Sequence, residues 1–85
     1  MNLQLSRKFV RDANKLPDSV SKLLRRMLVE VRSARSLYEI NHCSKLRGKA
    51  DFFRIRMGNY RITFTFDGTN IVMKRVLPRG RIYKK

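Results

Sequence analysis

The chain has 85 residues, which predicts a single domain over 1–85, and a domain of this size buries only a modest share of its surface. Its 21 Lys and Arg outnumber its 6 Asp and Glu, and the net charge of +15 favours a polyanionic partner: nucleic acid, an anionic membrane or an acidic protein. One cysteine excludes an internal disulfide framework, and no apolar run reaches the ~18 residues that span a bilayer. The first residues also lack the apolar core of a signal peptide, so we expect a cytoplasmic protein without a membrane partner.

The first half of the chain predicts two helices. Ser6 can cap the first, which carries Phe9 and Val10 on its apolar face, and Pro17 separates it from the second. The second has apolar residues at helical spacing: Val20, Leu23, Leu24, Met27, Leu28 and Val31. Its other face carries Lys22, Arg25, Arg26 and Arg32. These cations form either a solvated surface or an RNA contact. The segment from Arg35 to Ser44 predicts one more helical turn or a packed connector.

The second half alternates apolar and polar residues with period two, which is typical of antiparallel strands. Gly58-Asn59 and Asp67-Gly68 are tight turns between three strands, and Pro78 ends or bends the third. Leu3 and Leu5 allow a short strand at the N-terminus. The order of elements predicts an α+β fold in which two N-terminal helices pack on one face of a small antiparallel β-sheet. The other face displays polar residues.

Basic side chains collect on this open face. Arg54, Arg56 and Arg61 lie on one side of the predicted hairpin. Arg79, Arg81 and Tyr83 follow the third strand. Several guanidinium groups beside a phenol suit a phosphodiester, because arginine donates a bidentate fork to phosphate and tyrosine stacks on bases. The alternative is that the arginines are the solvated face of an amphipathic sheet.

Two segments resemble a known family. The first is Lys45-Leu46-Arg47-Gly48 followed by Phe53-Arg54-Ile55-Arg56-Met57-Gly58-Asn59-Tyr60-Arg61-Ile62, and the second is Arg79-Gly80-Arg81-Ile82-Tyr83-Lys84. Both resemble motifs of the RelE/ParE toxins of type II toxin–antitoxin systems, and the likeness covers essentially the whole chain. Members of that superfamily share a fold similar to microbial ribonucleases, and they either cleave mRNA or poison DNA gyrase.

The resemblance to the RNA-cleaving members implies roles for individual residues. Arg61 contacts the scissile phosphate, Arg79 stabilises the transition state, and Tyr83 orients or stacks on the substrate. The remaining basic positions bind RNA: Arg54, Arg56, Lys49, Arg81 and Lys84. In the best-known members the positions of Arg54 and Arg56 are lysines. Arginine, unlike lysine, essentially cannot give up its proton.

Proton transfer therefore needs another group. Tyr83 is the best candidate, with Lys49 and Lys84 as alternatives and Asp51 as a weaker one. His42 lies in the connector, away from the motif, and we interpret it as a surface or packing residue. Cys43 is interpreted as structural.

The resemblance implies an endoribonuclease that cuts mRNA in the ribosomal A site, beside 16S rRNA, and inhibits translation. Nothing in the sequence resembles a carboxylate cluster for Mg²⁺, so we expect metal-independent cleavage without a cofactor. A basic toxin of this kind is expected to be neutralised by a cognate antitoxin protein. Two alternatives stay open: a ParE-type inhibitor of DNA gyrase and an RNA-binding module without activity.

Overall fold

A computed structural model describes residues 1–46, Gly48 and 51–81 of the chain. The elements follow in the order β1 (Asn2–Leu5), α1 (Arg7–Asn14), α2 (Asp18–Ser33), a 3₁₀ turn (Leu37–Glu39), β2 (Cys43–Lys45), β3 (Phe52–Met57), β4 (Tyr60–Phe66) and β5 (Asn70–Pro78). The predicted α+β class and the two N-terminal helices are confirmed. None of the helices in the described part of the chain is long and apolar enough to cross a membrane.

The strands of the described residues form one sheet in the order β1-β5-β4-β3-β2. From β5 to β2 neighbouring strands are antiparallel, and this was predicted for β3, β4 and β5. The edge strand β1 instead lies parallel to β5, with Asn2 opposite Asn70 and Leu5 opposite Met73. The prediction of a purely antiparallel sheet is therefore wrong at this edge. Alternation in a four-residue strand shows which side chains point inward, but it does not show which strand is the neighbour or in which direction it runs.

The connector after α2 contains two elements that are too short to be recognised by periodicity. Leu37–Glu39 form the 3₁₀ turn, and Ile40 behind it is buried in the core. Cys43–Lys45 then add the edge strand β2, which pairs antiparallel with β3. The expected packed connector is confirmed, but the sequence analysis missed the strand that follows it.

One apolar core lies between the helices and the sheet. Its buried apolar residues are Phe9, Leu24, Val31, Ala34, Ile40, Ile55, Met57, Ile62, Phe64, Ile71, Met73 and Val76. Leu24 and Val31 of α2 were predicted to be on this face, whereas Leu23 and Val10 lie at the edge of their stripes and remain 45% and 42% exposed. The packing of the helices on one face leaves the opposite face of the sheet uncovered by them.

Candidate nucleic-acid interface

The open face of the sheet carries its side chains in rows that cross the strands. One row contains Ser44, Arg54, Thr63 and Arg75 at paired positions, and the next contains Arg56, Arg61 and Leu77. Neighbouring strands are about 4.8 Å apart and the two rows about 7 Å apart. The predicted clustering of Arg54, Arg56 and Arg61 is therefore confirmed at the level of strand register.

Arg56 and Arg61 stand directly opposite each other on β3 and β4. Like charges at directly opposed positions repel each other. Arg61 is half-buried, and its Nη1 donates to the carbonyl oxygens of Gly58 and Tyr60, both at 2.8 Å. These two hydrogen bonds anchor one guanidinium at the β3–β4 turn, while the Arg56 side chain is exposed. An anion bound between the two arginines would relieve their repulsion.

Arg79 is at the same end of the sheet. Its backbone N–H donates to the carbonyl of Asn59 at 2.9 Å, which extends the β4–β5 pairing beyond Tyr60 and Pro78 to the β3–β4 turn. The backbone of Arg79 is thus fixed at this turn. Arg81 follows, and its N–H donates to the carbonyl of Pro78 at 2.9 Å. Both side chains are exposed, and the backbone of Arg79 is at the turn that joins the strands of Arg56 and Arg61.

Arg54 lies one row away from the turn and leans towards β2. Its Nε and Nη2 lie 3.3 and 3.1 Å from the hydroxyl oxygen of Ser44, to which both donate. Thr63, its partner on β4, is only 7% exposed although it is on the open face. In this row Arg54 contacts Ser44, and the neighbouring side chains cover Thr63.

Arg75 is a member of this row that the sequence analysis missed. Its Nε donates to Asp12 Oδ2 at 2.7 Å and its Nη2 donates to Asp12 Oδ1 at 3.1 Å. The hydrogen bonds that Arg75 donates to this carboxylate raise the pKa of Arg75 above its usual value. Asp12 is 9% exposed, whereas the Arg75 side chain is 40% exposed. A signal was present in the sequence, because Asp12 follows the core residue Phe9 by three positions and so lies on the inner face of α1.

His42 lies closer to the candidate site than the sequence analysis predicted. The N–H of Arg56 donates to the carbonyl of His42 at 3.1 Å, which continues the β2–β3 pairing one residue beyond Cys43 and Ile55. His42 therefore stands opposite Arg56 and not away from the motif. The error has a simple cause: β2 was not recognised, so the sequence analysis had no strand that could place His42 beside β3.

Three of the predicted site residues, Lys49, Tyr83 and Lys84, lie outside the described residues. Their roles stay predictions from the resemblance. Asp51, the weaker candidate for a base, precedes β3 at the end far from the turn. Arg56 is five positions further along the chain, which corresponds to roughly 17 Å in a strand. A phosphate held by Arg56 and Arg61 is out of its reach.

The charges of the described surface are strongly one-sided at this end of the sheet. All six acidic residues of the chain are described, and the one closest to the arginine rows, Asp12, is already paired with Arg75. Within residues 1–46, 48 and 51–81, no three His, Cys, Asp or Glu side chains are close enough together to hold a metal ion. The chemistry that this surface offers is a set of guanidinium donors, the type of group that pairs with phosphates.

Known proteins resemble the chain over nearly its whole length. No protein-family model matches it. Toxin RelE3 of Methanocaldococcus jannaschii is 32% identical over 84 residues, which are 98% of this chain and 96% of that protein. A chain of the RelB–RelE antitoxin–toxin complex from Methanococcus jannaschii matches with a TM-score of 0.83 and 31% identity over 94% of each chain. The isolated RelE toxin of E. coli matches with a TM-score of 0.69 and 26% identity, over 91% of this chain and 82% of that one.

Proposed function

Since the chain belongs to the RelE family of toxins, we propose that it is an endoribonuclease that cuts mRNA in the ribosomal A site and thereby inhibits translation. The observation that carries the proposal is the cross-strand pair of Arg56 and Arg61, with the backbone of Arg79 fixed at the same turn. The pair is costly for the free protein, since like charges are opposed. A bound phosphodiester would turn that cost into attraction.

The proposed reaction is an internal transesterification. The ribose 2′-oxygen attacks the adjacent phosphorus, the bond to the 5′-oxygen breaks, and negative charge grows on the non-bridging oxygens. Arg61, anchored at the turn by two carbonyls, would meet that charge with a donor that is already positioned, and Arg79, whose backbone is fixed at the same turn, would add a second. The ribosome would supply the conformation of the mRNA, which is a large part of the catalytic advantage in a reaction of this type.

Substrate binding is assigned to the neighbouring cations. Arg54 and Arg56 are on the same face and Arg81 is beside Arg79, so an RNA strand crossing this end of the sheet would meet several guanidinium groups in succession. Lys49 and Lys84 would extend this contact, and Tyr83 would orient or stack on the substrate. These three assignments rest on the resemblance alone.

We further propose that a cognate antitoxin covers this surface when the toxin is silent. The net charge of +15 favours a partner segment rich in Asp and Glu, which would fold as it wraps the toxin. An apolar groove of about 700 Å³ at the other end of the sheet, lined in part by Leu37, Ile40, Phe53 and Phe66, offers such a segment a place for apolar anchors. Tyr38 is fully exposed beside it.

Inhibition of DNA gyrase is the second candidate function. Binding to gyrase needs no group of phosphate donors, and the clustering of Arg56, Arg61 and Arg79 therefore favours the nuclease. The test is incubation with translating ribosomes, followed by mapping of mRNA 5′ ends, in parallel with a gyrase supercoiling assay. New 5′ ends that depend on Arg61 support the nuclease. Inhibited supercoiling without new 5′ ends would assign the protein to the gyrase branch.

A further inference from the structure

His42 occupies an unusual backbone conformation next to the arginine rows. Its φ angle is 60°, in the left-handed region, and it is the one residue other than glycine with a positive φ in the described part of the chain. Such a conformation is uncommon for a residue other than glycine and is concentrated at functional sites. Its carbonyl accepts the N–H of Arg56 at 3.1 Å. The strained residue is thus fixed to the strand that carries the arginines.

A second contact holds the turn from the side of the helices. Asn41 Nδ2 donates to Glu30 Oε1 on α2 at 3.3 Å, so the residue before His42 is attached to the helical layer. The His42 side chain itself is exposed. The turn is therefore anchored on both sides while it presents an imidazole to solvent at the β2 edge of the candidate site.

Apart from His42, the described residues of the candidate site offer donors for phosphate but no available acceptor for a proton. The guanidinium groups of the site are hydrogen-bond donors and not acceptors: Arg54, Arg56, Arg61, Arg79 and Arg81. The carboxylate of Asp12 is occupied by Arg75 and by the N–H of Val76. Histidine is the side chain whose protonation ordinarily changes between about pH 5 and 8, and His42 is the only histidine in the chain.

We propose that the imidazole of His42 is the group that accepts the proton of the attacking 2′-hydroxyl, an inference that rests on the nuclease function proposed above. His42 directly precedes β2 and is opposite Arg56 of β3, whose partner on β4 is Arg61, so the backbones of His42 and Arg61 are about 10 Å apart. In the proposed complex the phosphate would lie above Arg56 and Arg61, with its 5′-side ribose towards β2. The 2′-hydroxyl would then lie between the phosphate and the imidazole.

The proposed step transfers one proton to His42 and exchanges one bond to phosphorus for another. The neutral imidazole takes the proton of the 2′-hydroxyl as the 2′-oxygen bonds to phosphorus. The bond from phosphorus to the 5′-oxygen breaks, and that oxygen takes a proton from water. The products are a 2′,3′-cyclic phosphate and a 5′-hydroxyl, and the imidazolium later returns its proton to solvent. No electrons are transferred to or from any other reactant.

The charged groups around His42 come from three elements. Arg56 of β3 is opposite it, Glu30 of α2 holds the preceding Asn41, and Glu39 of the 3₁₀ turn accepts the N–H of Arg35 at 3.1 Å. A change in cleavage rate between about pH 5 and 8 that is lost with the imidazole would report on His42.

The test compares single-turnover cleavage of ribosome-bound mRNA by the wild type and His42→Asn from pH 5 to 8. Asparagine tolerates a positive φ, so the turn is preserved while the titrating group is removed. The wild-type rate should rise with pH through the imidazole range. His42→Asn should be about 10²- to 10⁴-fold slower and should lose that rise.

Chemical rescue is the second measurement. His42→Gly also accepts the backbone conformation, and it removes the ring completely. Imidazole added to the solution should restore part of its cleavage rate but should leave Arg61→Ala as slow as before. The proposal is overturned if His42→Asn keeps the pH profile of the wild type, or if imidazole restores nothing. Either result leaves the nuclease function standing as long as the wild type cuts, whereas a wild type that cuts nothing refutes both.

Discussion

Asp12 on α1 holds Arg75 on β5 by two hydrogen bonds, from Nε to Oδ2 at 2.7 Å and from Nη2 to Oδ1 at 3.1 Å. The same carboxylate accepts the N–H of Val76 at 3.1 Å. The edge of β5 needs such a partner at this point, because its pairing with β1 ends at Leu5 and Met73. One aspartate thus attaches the first helix to the strand that leads to Arg79.

Asp12→Ala should therefore destabilise the protein. It leaves the Val76 N–H without an acceptor and releases Arg75, whose side chain is already 40% exposed. We expect the free energy of unfolding to fall by about 1–3 kcal/mol, since the partial exposure of Arg75 weakens the charge contribution. Unfolding by denaturant measures this change in the free energy of unfolding. Asp51→Ala, which removes an exposed acid, is the control and should change stability by less than about 0.5 kcal/mol. Equal effects of the two substitutions would contradict this account.

Two adjacent leucines test the orientation of α2. Leu24 is 4% exposed in the core and Leu23 is 45% exposed. Leu24→Ala should cost about 2–5 kcal/mol, from lost burial and from the cavity left behind. In a domain of this size that is a large share of the total stability. Leu23→Ala should lower the melting temperature far less. If both variants melt at the same temperature, the helix is rotated relative to this structure.

The Asp67 turn predicts a dependence of stability on pH. The N–H groups of Asn70 and Thr69 donate to its carboxylate at 2.7 and 2.9 Å and lower its pKa below the ordinary value of 3.8. A carboxyl whose pKa is lowered by folding stabilises the folded state above its unfolded pKa, and this contribution is lost as the pH falls through the folded pKa. Asp67→Ala should melt below the wild type at pH 7, and the difference should shrink below about pH 4. A difference that is constant over this range would show that the carboxylate charge is not involved.

Periodicity in the sequence was sufficient for the long elements and insufficient for the short ones. Leu24 and Val31 were placed correctly because sixteen residues of α2 repeat the pattern several times. β2 has three residues and β1 has four, so neither the second edge of the sheet nor the direction of the first could be predicted.

In the candidate site, too, only the residues of the long, regular strands could be placed from the sequence. Arg56 and Arg61 flank a recognisable turn, and a two-residue hairpin fixes their register. Arg75 and His42 depend on contacts with Asp12 and with the β2 edge, which are far apart in sequence. A β-bulge between Thr63 and Phe64 made the position of Arg75 still harder to predict. It shifts the register of β5 and brings Arg75 to the open face opposite Thr63. Alternation alone does not reveal such a bulge.

Arg61→Lys separates the two tasks of this side chain. A lysine keeps the positive charge but cannot reproduce the bidentate fork. Its single ammonium also cannot bind the two turn carbonyls, as the Arg61 guanidinium does, and meet the proposed phosphate at the same time. We expect cleavage between that of the wild type and that of Arg61→Ala, with a folded protein by circular dichroism. Cleavage by Arg61→Lys at the wild-type rate would mean that only the charge matters.

The most direct measurement of the central claim is single-turnover cleavage of ribosome-bound mRNA by Arg61→Ala and Arg79→Ala, beside the wild type. Arg25→Ala is the matched control, because it removes one exposed arginine from the outer face of α2. The account predicts that the wild type cuts, that each open-face variant folds but cuts about 10²- to 10³-fold more slowly, and that Arg25→Ala cuts like the wild type. Folded Arg61→Ala and Arg79→Ala proteins that cut at the wild-type rate would contradict it.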